Sequence, residues 1–237
     1  MKYPRATLSA VLFIFITSIV IQSFSFLNTD ASWLLRCSIK LLHGGHYYTD
    51  FFETNPPLIL WLNIPSIFIA QHLHLDIPLV FRIFIFAIDF FILCLSLKLL
   101  TRLFKEQTHY IDILLITIAI ALLWLPGYAF AERDYLALVL TLPYFLLVAL
   151  FLEREPSSQT MKITVGILAA IGFALKPYFL FAFILPECYV LYQRKRLRAV
   201  FRTETLIIAI WLWIYLALIF WLTPNYIYKV LPLVFIL

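Results

Sequence analysis

Twenty consecutive residues from Leu8 to Leu27 carry no charged side chain, and six more apolar runs follow near 57–75, 78–100, 110–129, 135–152, 162–193 and 204–222. Runs of about 20 residues match the roughly 30 Å hydrocarbon core of a bilayer. Hydrophobic residues make up 64% of the chain and charged residues 13%, against about 45–50% and about 25% in a soluble domain. The expected class is an all-α integral membrane protein. Although Lys2 and Arg5 precede the first run, its length exceeds the 7–15 residues of a signal-peptide core. No small-x-small cleavage site follows it, so a retained first helix is expected.

Two runs are ambiguous in length. The 57–75 run opens beside Pro56-Pro57, contains Asn63 and Pro65, and ends near His72 and His74. The 162–193 run would be about 48 Å long as one helix, too long for the core, and Lys176-Pro177 lies near its middle. Placing 57–75 in the interface and splitting 162–193 at Lys176-Pro177 puts twelve of the 18 Lys and Arg residues on one side, the RKRLR cluster at 194–198 among them. Cytoplasmic loops carry that excess. The expected layout is a single membrane domain over 1–237, with about seven transmembrane helices and the N-terminus cytoplasmic. Residues 1–27 form the first span, 28–77 an outer loop, 78–222 six further spans and 223–237 an outer tail.

That topology brings three polar segments to one face: the outer loop, the turn at Arg133-Asp134, and Lys176. Within the loop, Ala31–Leu42 reads as an amphipathic interfacial helix. Trp33, Leu34, Cys37, Leu41 and Leu42 lie on one side, Arg36 and Lys40 on the other, and Gly44-Gly45 ends it. A second interfacial helix is expected to start at the proline pair.

Asp30 stands where an N-cap would bond an unpaired helix N–H, a role compatible with a catalytic carboxylate. Asp50 and Glu53 would share a face if helical and, with loop carbonyls, offer oxygen ligands to a divalent cation; solvated loop carboxylates are the plainer reading. His43 and His46 have no third partner and read as turn residues. Arg82 and Asp89 are two turns apart on one helix face, with Asp89 turned toward the bundle or a cavity. Arg133, in Glu132-Arg133-Asp134, has the planar fork that suits phosphate, with a solvated turn as the alternative. Lys176 either snorkels to the interface or meets a lipid phosphate. Cys37, Cys94 and Cys188 show no metal-ligand spacing, and Cys94 and Cys188 read as small core residues. The net charge of +5 implies no nucleic-acid partner, because the basic residues sit at run ends and not in one stripe.

The order of these pieces resembles the GT-C glycosyltransferases, nearest the family-39-type protein mannosyltransferases and the lipid A aminoarabinose transferases. The matching elements are Asp30, Gly44-Gly45, the run Tyr48-Thr49-Asp50-Phe51-Phe52-Glu53-Thr54-Asn55-Pro56-Pro57, Arg82, Glu132-Arg133-Asp134-Tyr135-Leu136-Ala137, and Gly172-Phe173-Ala174-Leu175-Lys176-Pro177. The resemblance implies inverting transfer of a sugar from a polyprenyl-phosphate donor to an acceptor outside a bacterial inner (plasma) membrane. Asp30 would serve as base or orienter of the acceptor hydroxyl, and Lys176, Arg133 and Arg82 would bind the donor phosphate. Asp50, Glu53, Asn55 and Asp134 would support the acceptor loop, and no cofactor or metal is implied. Asn55 departs from the Lys or His of those branches. The chain ends at Leu237, where family members continue, so the N-terminal module of such an enzyme is expected. A non-catalytic lipid-phosphate-binding or assembly subunit and a small transporter or flippase stand as alternatives.

Overall fold

A computed structural model describes residues 5–105 and 107–234, helical apart from turns, the loop at 43–57 and one isolated bridge between Tyr47 and Phe51 within it. Lys2, the side chain of Arg5 and the last three residues of the expected outer tail lie outside the described residues. Nine helices of a dozen or more residues appear among those described: α1 (Arg5–Phe24), α2 (Thr29–Leu42), α3 (Leu58–His72), α4 (Ile77–Phe104), α5 (Thr108–Leu123), α6 (Arg133–Leu152), α7 (Gln159–Ala174), α8 (Leu180–Arg194) and α9 (Thr203–Leu222). A π-turn at Tyr226–Val230 leads into a short α10 (Leu231–Val234).

Four helices, α1, α4, α6 and α9, are long and apolar enough to cross a membrane; α3, α5 and α7 are apolar but shorter. The 110–129 run is helical only to Leu123. Leu125-Pro126-Gly127 then turns the chain, and Gly127–Ala129 forms one 3-10 turn. The 162–193 run breaks where expected. Lys176 is extended, as the residue before a proline tends to be, and a 3-10 turn at Pro177–Phe179 separates α7 from α8.

Neighbouring helices pack in the order α1, α5, α4, α6, α7, α9, with α2 paired to α3, α3 on α4, and α8 against α6 and α7. Lipid offers little hydrophobic drive between helices, so close backbone approach matters. Gly172 permits it between α7 and α6: a Cβ there would lie 2.7 Å from Thr141 Cγ2 and 3.1 Å from Leu140 Cβ.

Helix α2 begins two residues earlier than the sequence suggested. Asn28 is its N-cap, with Oδ1 accepting from the Asp30 N–H at 2.7 Å, so Asp30 is a first-turn residue and not the cap. The helix ends as expected, with Gly44 at φ +84° and the Gly45 N–H donating to Lys40 O at 2.8 Å. Leu34 and Cys37 are buried, but Trp33, assigned above to the apolar side, is exposed. Cys94 and Cys188 are also exposed and not core residues. They lie on helices apolar all round, where the pattern marks no inward face.

Candidate functional site

The ends of α1, α2, α5, α6 and α7 are fastened together by polar contacts that position Asp30. Ser18 Oγ donates to Leu123 O at 2.8 Å and Gln22 Nε2 to Gly127 O at 3.0 Å. The Tyr128 hydroxyl accepts the Thr29 N–H at 3.2 Å. The 124–132 connection is thereby held against the start of α2, and Arg133, opening α6, reaches Asp30 with Nη2–Oδ2 3.3 Å.

Around this pair stand Glu132, Asp134 and Lys176. Lys176 Nζ is 2.5 Å from Asp134 Oδ1 and lies over the rings of Tyr178 (5.3 Å) and Phe179 (5.8 Å). Burial pulls the Lys176 pKa down, but contacts with Asp134 and the Tyr178 hydroxyl together outweigh it and leave the value above the ordinary 10.5. Burial, followed by the carboxylates of Asp30 and Asp134, pushes Glu132 above its ordinary value. The sequence-predicted residues Asp30, Arg133, Asp134 and Lys176 thus converge from the starts of two helices and the break between two more.

Arg133 is the unusual member. It is 9% exposed, and its Nε and Nη1 are buried with no hydrogen-bond partner among the described residues. Its one ion pair, to Asp30, is long. A buried donor without an acceptor costs about 1–3 kcal/mol, more for a charged group. Nε and Nη1 each flank Nη2, and either edge of the planar guanidinium suits the paired oxygens of a phosphate or carboxylate. The other Asp30 oxygen is engaged by no described residue, and the side chain is 39% exposed.

The remaining candidates lie apart from this cluster. Arg82 donates from Nη2 to Ser25 O, tying α4 to the chain leaving α1, and no described ion pair joins it to Asp30, Arg133 or Lys176. Asp50 does not share a helix with Glu53: its Oδ2 accepts from the His46 N–H at 2.8 Å and Thr49 Oγ1 at 3.1 Å, closing a turn. Those bonds hold the Asp50 carboxyl below its ordinary value. Glu53 is buried and accepts from Trp33 Nε1 (2.7 Å) and the Asn55 N–H (2.8 Å), with the Asn55 amide on the same carboxyl oxygen as that N–H. It anchors the loop to α2, three residues from Asp30. Burial and then Glu53 push the Cys37 thiol up to about 12, which leaves it inert. Burial and then Glu53 do the same to Tyr226, also to about 12, whose hydroxyl donates to Thr54 O at 3.2 Å. The Leu58 N–H donates to the Tyr215 hydroxyl at 3.2 Å, so α9 and the segment after it clamp this loop.

Beneath the cluster, an apolar cavity of about 360 Å³ lies between α3, α4, α6 and α7, walled by Leu62, Phe84, Phe91, Leu136 and Ile171. Leu136 is one turn along α6 from Arg133. Asp89 is fully buried on α4 beside Tyr135, and the two face each other without a bond of ordinary geometry. Sequence reasoning missed the aromatic cushion under Lys176 and the Trp33–Glu53 anchor; tyrosine directly after Lys-Pro was the available signal for the first.

The chain matches no family model, no curated protein and no solved structure.

Proposed function

We propose that this chain is a GT-C-type membrane glycosyltransferase, or the N-terminal half of one, with its site on the outer face of a bacterial inner membrane. In this reading α1, α4, α5, α6, α7, α8 and α9 are the seven spans, and α2 and α3 pack at the outer side. The observation that carries it is the buried, under-satisfied fork of Arg133 beside Asp30 and Lys176.

The chemistry follows from those groups. When the sugar is transferred, the anomeric C–O bond to the polyprenyl phosphate breaks with both electrons on the departing phosphate oxygen, so cations belong where that charge develops. Arg133 presents one edge of its guanidinium to that oxygen and its neighbour, and Lys176 adds a second charge. Asp30 removes the proton of the acceptor hydroxyl as its oxygen attacks the anomeric carbon from the face opposite the phosphate. A single displacement inverts that carbon. The apolar cavity one turn below suits the first isoprene units. Arg82 lies outside the cluster, so the phosphate contacts fall to Arg133 and Lys176. Asp50, Glu53 and Asn55 shape the loop, with Glu53 and Asn55 holding it to α2.

A second reading rests on Asp89: a fully buried carboxyl in a spanning helix also suits proton-coupled transport. In that case Asp89→Asn would abolish function and Asp30→Asn would not.

The test is binding of an undecaprenyl-phosphate analogue to purified protein. Arg133→Ala and Lys176→Ala are each expected to weaken it at least tenfold, while Asp30→Asn keeps binding and loses turnover. Absence of binding to folded wild type, or binding indifferent to both cations, would overturn the proposal.

A further inference from the structure

Basic side chains also gather at the opposite end of the bundle. Helix α6 carries its C-terminus roughly 28 Å from Arg133. There the α6–α7 and α8–α9 connections frame a cavity of about 800 Å³ walled by Phe151, Arg154, Glu155, Arg194, Arg196 and Arg198. Among the described residues of this wall, four guanidinium groups face one carboxylate, and that carboxylate already pairs with Lys105 at 2.7 Å. A second concavity, lined by Arg102 and Lys105, adjoins it through Glu155.

Arg194 is fixed in place. It donates to Leu152 O at 3.0 Å and to Phe151 O, and its guanidinium lies over the Phe151 ring at 5.0 Å. Its Nε is buried without a partner. Like charges held around one hollow repel unless an anion joins them, and arginine forks fit phosphate in particular. Beside the arginines, Leu197 and Phe201 on the same short segment are 71% and 67% exposed, and Tyr192 is 73% exposed. A water-soluble anion has no use for that apolar surface; an acyl chain does.

We propose that this cavity binds the phosphate of an anionic phospholipid from the leaflet at that end, with its acyl chains along Leu197, Phe201 and Tyr192. Basic pockets between membrane helices take such headgroups. The residues are separate from the Asp30–Arg133 cluster, so this proposal stands whether or not the chain transfers sugars.

Native mass spectrometry of the detergent-purified protein tests it, with phosphatidylglycerol, phosphatidylcholine and inorganic phosphate as probes. Wild type is expected to retain phosphatidylglycerol in preference, and excess inorganic phosphate not to displace it. Arg154→Gln, Arg196→Gln and Arg198→Gln, all at exposed positions, should each weaken retention about fivefold, the effect expected of one cation beside an anionic lipid. Lys162→Gln, at the same end but outside the cavity wall, should change nothing; melting temperatures check that each variant is folded. Equal retention of both lipids, displacement by inorganic phosphate, or an equal loss with Lys162→Gln would each overturn the proposal, the second by showing a soluble-anion site and the third by showing diffuse surface charge.

Discussion

Arg133 and Arg202 are buried to nearly the same depth, 9% and 8% exposed, and each stands at the amino end of an apolar spanning helix. Their surroundings differ completely. Arg202 donates from Nε to Glu204 (2.6 Å), from Nη2 to Glu187 (2.5 Å) and from Nη1 to Ala199 O (2.9 Å), and its guanidinium lies 4.7 Å from the Phe151 ring centroid. Tyr144 donates to the same Glu187 oxygen, so α6, α8 and α9 meet on one network. Arg133 makes one long contact and leaves two nitrogens empty. A saturated buried arginine is a brace between helices; an unsaturated one keeps N–H groups that no described residue fills, which is what the proposed phosphate contact uses.

That contrast breaks most easily at Arg202. Replacing it with leucine strands two carboxylates in the interior, and removing one partner of a buried ion pair costs about 3–5 kcal/mol. Arg202→Leu should therefore lower unfolding stability in detergent by that amount, whereas Arg133→Leu should leave it within about 1 kcal/mol, because its partner Asp30 is already solvated. Equal losses would erase the distinction. Next in size is the cap that aims Asp30 at Arg133: Asn28→Ala should cost about 1 kcal/mol in the same unfolding experiment.

The smallest expected effect is a pH slope. Glu132 has its folded pKa raised by burial and by Asp30 and Asp134. Between its ordinary value of 4.5 and the raised one, the folded protein holds more protons than the unfolded chain. Stability therefore falls as pH rises through that window. Phosphate-lipid binding should weaken over the same range as Glu132 gains charge. Glu132→Gln should flatten both profiles.

Much of this arrangement was legible in the chain. Length alone required a break in 162–193, and Lys176-Pro177 was the place to put it, because proline cannot continue a helix hydrogen bond and extends the residue before it. The imbalance of Lys and Arg then brought Asp30, Arg133 and Lys176 to one end. What escaped depends on contacts between distant segments. Asn28 and Asp30 are both good caps, and only the path of the chain into α2 chooses between them. Glu53 reads as a solvated loop acid until Trp33 closes over it. Arg202 counts simply as one more basic residue after the RKRLR cluster, while its partner Glu187 lies 15 positions away and Tyr144, which shares that Glu187 oxygen, lies 58 away. On α4 and α8, whose apolar residues fall on every side, no periodicity shows that Cys94 and Cys188 both face outward.

The most direct measurement is the affinity of polyprenyl phosphate for Arg133→Lys. Lysine keeps the positive charge but removes the planar fork and the two nitrogens left empty at this site. If those nitrogens are the phosphate contacts, Arg133→Lys loses at least tenfold in affinity and behaves like Arg133→Gln while melting with wild type. If Arg133→Lys binds as tightly as wild type, the unfilled fork is not the binding group and the distinction between Arg133 and Arg202 carries no function.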